Sequence, residues 1–130
     1  MNTLIVYYSK TGNTRTVAEA VIKKLGCDFD EIIYDEKSET IRYSKNPADY
    51  GRIILLAPVW AFSLAEPMKK YIRETNAAVK KYDLIVTCGL FGLGGCVKNC
   101  TKAFGKAPDN ALIFKAKKVK LGDFDISAIK

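Results

Sequence analysis

The sequence predicts a single α/β domain of three layers, in which helices cover both faces of a five-stranded, doubly wound parallel sheet. Two observations predict this fold: five short apolar runs, and the amphipathic stretches that alternate with them. Such alternation favours parallel strands that are joined by right-handed crossovers. A length of 130 residues is usual for one domain, so we expect residues 1–130 to form a single unit.

The first strand and the first helix are the clearest elements. Residues 4–8 form an apolar run rich in β-branched and aromatic side chains, which indicates a buried strand. A polar turn follows at residues 9–14. Apolar side chains then repeat with a helical period at Val17, Ala18, Val21, Ile22 and Leu25. Gly26 stands where a glycine commonly ends a helix.

The middle of the chain predicts two strands with little helix between them. Residues 29–34 form the second strand, and residues 52–57 form a third strand that is buried on both faces. The polar residues 35–50 leave room only for a reduced second helix, with one helical turn at residues 46–49. Pro67 then favours the first turn of the next helix.

The last third of the chain predicts two more strands. Residues 83–88 form the fourth strand, and a glycine-rich loop follows at residues 89–95. Helical spacing then places apolar side chains at Val97, Cys100 and Phe104. The fifth strand lies at residues 111–114. Residues 122–130 can form at most two helical turns, so we expect a short C-terminal helix there.

The composition excludes several kinds of chemistry. The chain has no histidine, which rules out Ser-His-Asp and Cys-His catalysis and removes the commonest metal ligand. We therefore identify no catalytic side chain and no metal site, and expect a cofactor to supply any chemistry. Of the four cysteines, Cys96 and Cys100 are helical i,i+4 neighbours, and their Cβ atoms at about 5–6 Å would strain a disulfide. We expect reduced, buried cysteines.

The charge of the chain is uneven. The net charge is +7, yet residues 1–50 carry seven basic and eight acidic side chains, whereas residues 96–130 carry eight lysines and three acids. This surface favours an acidic protein or an anionic substrate as partner. No nucleic-acid motif accompanies the lysines, so we expect no nucleic acid. No apolar run approaches the ~20 residues of a membrane span, and we expect a cytoplasmic monomer or weak dimer.

Three loops of unusual composition follow strands one, three and four, where open α/β sheets bind ligands. The first loop precedes a helix, so free backbone N–H groups and the positive end of the helix dipole face it. Its residues are Ser9, Lys10, Thr11, Gly12, Asn13 and Thr14. Three hydroxyls, one amide and a glycine suit a phosphate group, although an ordinary helix cap with polar turn residues is the alternative.

This turn resembles the S-x-T-G-N-T phosphate loop of the flavodoxin family, directly after an apolar first strand. Residues 49–60 resemble the third strand of that family and its aromatic flavin loop, and the resemblance extends over about residues 3–116. It implies a flavodoxin-like fold, the strand order 2-1-3-4-5, and FMN as cofactor.

The second and third loops are the candidates for the flavin ring. The second comprises Pro58, Val59, Trp60, Ala61, Phe62 and Ser63. Its indole, or else the Phe62 ring, can stack on a flavin; a core position for Trp60 is the alternative. The third loop contributes Gly89, Leu90, Phe91, Gly92, Gly94 and Gly95, whose backbone could reach the ring unless the loop is simply flexible.

The resemblance implies electron transfer through FMN to a redox partner protein. One-electron flavodoxins usually have a glycine in the flavin loop, whereas this chain has none from Arg52 to Cys88, and non-glycine residues should oppose a positive φ there. A two-electron NAD(P)H-dependent quinone or flavin reductase is therefore the alternative. A non-redox binding module on the same fold is a third hypothesis.

Overall fold

The computed structural model describes residues 2–89 and 92–130. Its elements in chain order are β1 (Thr3–Tyr7), α1 (Asn13–Leu25), β2 (Asp28–Glu31), β3 (Ile33–Asp35), β4 (Thr40–Arg42), β5 (Arg52–Trp60), β6 (Ser63–Leu64), α2 (Glu66–Thr75), β7 (Tyr82–Cys88), α3 (Leu93–Phe104), β8 (Ala111–Lys115) and α4 (Ala116–Lys120). Single turns of 3-10 helix lie at Pro47–Asp49 and Asn76–Ala78.

The main sheet has the order β2-β1-β5-β7-β8, and each of these neighbouring strands is parallel. This order is the predicted 2-1-3-4-5 arrangement, so the flavodoxin-like fold is confirmed. Tyr7 pairs with Leu56, and Pro58 pairs with Thr87, so the carboxyl ends of β1, β5 and β7 meet at one edge. The strand β6 pairs antiparallel with the end of β5.

Two apolar clusters hold the layers together. On one face of the sheet, Leu55 and Val86 pack with Met68 of α2 and Cys100 of α3. On the other face, Ile54 packs with side chains of α1, of α4 and of the tail after α4. The central strands are buried on both faces, which explains their nearly continuous apolar sequences. All four cysteines are free, and Cys96 and Cys100 are 0% exposed, as expected for apolar packing.

The second predicted strand had the wrong boundary. It ends at Glu31, and Ile33–Asp35 instead forms a separate antiparallel hairpin with Thr40–Arg42. The Asp35 carboxylate accepts the backbone N–H of Lys37 at 3.0 Å, and this contact favours the hairpin turn. The reduced second helix is confirmed as the 3-10 turn at Pro47–Asp49, which Asn46 caps through the N–H of Ala48.

The short C-terminal helix lies earlier than expected. It is α4, directly after β8, and residues 122–130 contain no helix. Gly122 has a φ of 74°, which only glycine adopts easily, and the chain leaves the helix there. The apolar side chains of the tail cover the sheet instead: Ile129 is 5% exposed and belongs to the same core cluster as α1. None of the helices in the described segments combines the length and apolar character of a membrane span.

Candidate functional site

The three predicted loops lie at the carboxyl edge of the sheet, after β1, β5 and β7. They differ in how closely the structure follows the sequence prediction. Residues 9–12 form a turn, whereas Asn13 and Thr14 already belong to α1. Leu90 and Phe91, predicted as flavin contacts, lie outside the described residues.

The turn after β1 presents unoccupied backbone donors. The Ser9 hydroxyl oxygen accepts the N–H groups of Gly12 and Arg15, each at 3.1 Å. In the described chain, the N–H groups of Asn13 and Thr14 have no hydrogen-bond acceptor. Gly12 has a φ of 99° and no side chain to cover them. This helix start can therefore bind an anion through its backbone.

Two cationic side chains flank the same turn. Lys10 Nζ lies 3.5 Å from a carboxylate oxygen of Glu36 and 5.5 Å from the centroid of the Trp60 ring. Arg15 forms an ion pair with Glu31, and this carboxylate raises the pKa of the guanidinium group. Each of these cations is therefore already paired with a carboxylate in the described chain. Thr11 is exposed and makes no side-chain hydrogen bond within the described chain.

The side chain of Thr14 points away from the turn. It is 2% exposed, and its hydroxyl lies 2.7 Å from the hydroxyl of Thr87 at the end of β7. This buried hydrogen bond ties the first turn of α1 to the sheet. The hydroxyl of Thr14 thus already has a hydrogen-bond partner within the protein. Its backbone N–H group is the donor that Thr14 still offers at the turn. The sequence analysis missed Thr87, although a threonine in an apolar strand is a usable signal.

The second predicted loop, residues 58–63, belongs to a β-hairpin in the structure. Pro58 still pairs with β7, and β5 then continues through Val59, which pairs with Leu64, and Trp60, which pairs with Ser63. The prediction that the third strand ends at residue 57 was wrong, because pairing with β6 satisfies the backbone of this extension. Ala61 and Phe62 form the tight turn with φ of 50° and 65°. Non-glycine residues thus stand at positive φ here although they oppose it, because a two-residue hairpin of this type requires that conformation.

The start of α3 packs directly against this hairpin. A Cβ atom on Gly95 would lie 2.0 Å from the carbonyl oxygen of Phe62. A Cβ atom on Gly92 would lie 2.5 Å from Cγ1 of Val59. Both glycines therefore allow close contact between α3 and the hairpin. Since α3 begins at Leu93, the prediction of a loop over 89–95 was wrong for its last three residues.

Two polar side chains that the sequence analysis missed also hold the hairpin. Asn99 of α3 accepts the backbone N–H of Leu64 through its side-chain oxygen at 3.0 Å. Lys69 of α2 donates to the hydroxyl of Ser63 at 3.1 Å. Neither residue belongs to a recognisable motif, because their role depends on contacts between elements distant in sequence. The hairpin is thus attached to both α2 and α3.

Trp60 lies between the hairpin and the turn after β1. Its ring packs edge-to-face on Tyr8, with ring centroids 5.7 Å apart and planes at 88°. Tyr8 in turn packs edge-to-face on Tyr34 at 6.3 Å, and burial raises the pKa of the Tyr8 hydroxyl. Trp60 is partly buried, so part of its side chain is accessible. The structure therefore brings Trp60 and the residue 9–14 turn together.

The glycines of the third loop are distributed differently. Gly89 directly follows β7, and a Cβ atom there would meet nothing within 4 Å. Gly92, Gly94 and Gly95 instead line a depression beside Phe62, together with residues of β8. They therefore lie on the α3 side of the hairpin turn.

Comparisons with known proteins agree with this architecture. The sequence matches the family model described as a flavodoxin domain over residues 4–115. No curated protein matches the chain.

Solved structures match it at low sequence identity. A flavoprotein of Lactobacillus acidophilus in complex with FMN is 17% identical, with a TM-score of 0.76 over 92% of this chain and 97% of that chain. A flavodoxin, WrbA-like protein of Agrobacterium tumefaciens is 18% identical, with a TM-score of 0.65 over 80% and 71%. A Fusobacterium nucleatum flavodoxin bound to flavin mononucleotide is 17% identical, with a TM-score of 0.58 over 85% and 69%. These likenesses show the fold.

Proposed function

This chain belongs to the flavodoxin domain family, and from that membership we propose that it binds FMN at the carboxyl edge of its sheet and transfers electrons through the bound flavin. The observation that carries the proposal is the turn after β1, where the N–H groups of Asn13 and Thr14 have no acceptor in the described chain. Flavodoxins and flavoproteins of the same fold are known with FMN bound.

The turn after β1 fits a phosphate monoester. The backbone donors and the helix dipole supply the positive field, and the adjacent cations Lys10 and Arg15 are themselves paired with Glu36 and Glu31. The exposed Thr11 hydroxyl and the Asn13 amide provide further donors that the described chain does not use. Gly12 leaves space for the ligand to approach the backbone.

Trp60 fits the ring of a flavin. Its partly exposed indole lies beside the turn, 5.5 Å from Lys10 Nζ and edge-to-face with Tyr8. A flat aromatic ligand placed on this side chain would exclude water and gain dispersion contacts. FMN, when bound, supplies the electron-accepting and electron-donating chemistry, and the chain supplies binding and orientation.

We further propose an acidic redox partner protein. The segment 96–130 carries eight lysines against three acids, which favours association with an acidic surface. We propose cytoplasmic function as a monomer or weak dimer, without nucleic acid or membrane.

Titration of the purified chain with FMN tests cofactor binding. Trp60 is the only tryptophan, so its fluorescence should be quenched by FMN with a stoichiometry of one. Thr11→Ala should weaken FMN binding about 10-fold, since a hydrogen bond to a charged group contributes roughly 1.5 kcal/mol. Ser44→Ala is the matched control, because Ser44 is also exposed and makes no side-chain hydrogen bond in the described chain. Absence of FMN binding at micromolar concentration would refute the proposal and favour the non-redox module.

A two-electron NAD(P)H-dependent quinone or flavin reductase is the second candidate. It is favoured by the hairpin turn, because contacts with Gly95, Asn99 and Lys69 hold its backbone in one conformation. Photoreduction followed by absorbance distinguishes the two candidates. Two resolved one-electron steps support the carrier, whereas a single two-electron step together with NAD(P)H oxidation supports the reductase.

A further inference from the structure

A strongly basic surface lies on the outer side of α4. The segment 115–121 contains four lysines and no acid. Val119 is 2% exposed and packs into the core cluster on the α1 face of the sheet, so it attaches the helix there. All four lysines of the segment are exposed. We call this surface the α4 patch, and its residues are Lys115, Lys117, Lys118, Lys120 and Leu121.

Leu121 lies at the centre of the α4 patch. It is 77% exposed, the largest fraction among the exposed large apolar side chains of the described residues. It follows Lys117 by four positions and Lys118 by three, so helical spacing places it between these two lysines, on the side away from Val119. The N–H of Leu121 donates to the carbonyl of Lys118 at 3.1 Å, which extends the helical turn to this residue. An apolar side chain is thus presented to solvent between two cations.

The charge of the α4 patch is not neutralised by ion pairs. None of its lysines forms an ion pair with an acid of the described chain. The acids that follow in sequence are Asp123 and Asp125, and the carboxylate of Asp125 accepts the backbone N–H of Ser127 at 2.8 Å. Four neighbouring like charges repel one another, and an acidic surface placed on them would relieve that repulsion.

The α4 patch begins at the edge of the sheet that carries the proposed FMN site. The strand β8 runs parallel to β7 and α4 follows it directly, so Lys115 and the start of α4 lie at the carboxyl edge. The helix α4 covers the same face of the sheet as α1, whereas α3 covers the opposite face. A protein bound to the patch would therefore contact the same edge of the sheet as the flavin.

We propose that the α4 patch is the docking surface for an acidic protein, whose carboxylates contact the lysines and whose apolar side chain contacts Leu121. That this protein is the redox partner rests on the proposed function. An apolar centre with a polar rim is the usual anatomy of a protein interface. The patch is small, which fits the weak and transient contacts of electron-transfer partners.

Two features favour a protein over other anionic macromolecules. A nucleic acid binds lysines through its phosphate backbone, and this contact makes no use of the exposed Leu121. A helix that lies in a lipid surface buries a broad apolar face, whereas the outer side of α4 presents one large apolar side chain among lysines.

Two labelled peptides test the lysine contact: a peptide of glutamates with a central leucine, and the same peptide with a central serine. In fluorescence anisotropy, Lys117→Gln/Lys118→Gln should bind the leucine peptide about 5-fold more weakly, a factor of about two for each exposed charge pair. The matched control is Lys98→Gln/Lys102→Gln, which removes equal charge from two exposed lysines of α3 that form no ion pair in the described chain. Equal losses in the two variants would overturn the proposal, because net charge alone would then decide binding.

The serine peptide tests the apolar contact. Leu121→Ser should weaken binding of the leucine peptide about 3-fold and leave binding of the serine peptide unchanged, because only the first complex buries part of an apolar side chain. Phe29→Ser is the control, since Phe29 is also an exposed apolar residue but lies on β2 at the far end of the strand order. Equal affinity of the unaltered chain for the two peptides would contradict an apolar centre.

A DNA duplex and vesicles of phosphatidylserine and phosphatidylcholine test the other classes of partner. Binding of the duplex should fall equally in the two lysine variants and stay unchanged in Leu121→Ser, and the vesicles should not bind at physiological salt. Binding of either ligand that depends on Leu121 would overturn the choice of an acidic protein.

The same titrations with and without FMN distinguish this inference from the proposed function. Peptide binding needs no flavin, so its affinity should be the same in both. A chain that binds FMN but shows no preference for the α4 lysines would refute the inference and leave the proposed function intact. A chain that shows this preference but binds no FMN would support the docking surface and refute electron transfer.

Discussion

The two halves of the candidate site are built in opposite ways. The turn after β1 is exposed, contains a glycine at its positive φ, and leaves two backbone N–H groups without an acceptor in the described chain. The hairpin after β5 has alanine and phenylalanine at positive φ and is attached to α2 and α3. The first is a local structure, whereas the second depends on distant contacts.

This difference shows which interactions fix the backbone conformation of each half. A glycine adopts a left-handed φ at little cost, so the turn needs few external contacts. A non-glycine residue in that region costs about 1–2 kcal/mol, which packing elsewhere must offset. The following changes should therefore affect the hairpin strongly and the turn weakly.

The largest effect is expected for Gly95→Ala. The new Cβ atom would lie 2.0 Å from the Phe62 carbonyl oxygen, so the hairpin or α3 must move. We expect a loss of about 1–3 kcal/mol in the free energy of unfolding, measured by urea denaturation. Gly94→Ala is the matched control, because its Cβ atom meets nothing and alanine favours helix by up to about 1 kcal/mol. Equal stability of the two variants would show that the hairpin does not depend on α3.

The next effect tests the buried hydrogen bond that attaches the turn after β1 to β7. Thr87→Val leaves the buried hydroxyl of Thr14 without its partner, which should cost about 1–2 kcal/mol. The double variant Thr14→Val/Thr87→Val should lose less than the sum of the two single variants, as urea denaturation can measure. Strict additivity would mean that the two hydroxyls do not stabilise the fold as a pair.

A smaller effect of opposite sign is expected for Ala61→Gly. Glycine removes the strain of a positive φ but gives the unfolded chain more freedom, so stability should rise by about 0.5–1 kcal/mol. Ala77→Gly is the control, because Ala77 is exposed in a 3-10 turn and is not among the positive-φ residues. It should lose about 0.5–1 kcal/mol. A loss at both positions would show that the turn is not strained.

The smallest effect on stability is expected for Thr11→Ala. Its exposed hydroxyl makes no hydrogen bond in the described chain, so the free energy of unfolding should change by less than about 0.5 kcal/mol. FMN affinity should nevertheless fall, as proposed above. A large loss of stability would indicate that the turn contributes to the fold rather than to ligand binding.

The sequence predicted the elements that are formed by local pattern. The strand β1, the helix α1 with its end at Gly26, and the helix α2 with Pro67 in its first turn were all expected. The sequence analysis missed the boundary of β2, the position of α4 and the hairpin at Trp60. Each of these depends on pairing or packing with another segment, such as β6 with β5 or Ile129 with the core.

By itself, the sequence determined the order of the five parallel strands along the chain and the polar turn at residues 9–14, because a polar turn between a buried strand and a helix has free N–H groups wherever it occurs. Only the tertiary structure decided that the hydroxyls of Thr14 and Thr87 form a hydrogen bond and that the hairpin packs closely on Gly92 and Gly95. It also decided that Phe62 and Lys115 line the same depression. These contacts join residues that lie far apart in the chain, and the folded sheet and helices alone bring them together.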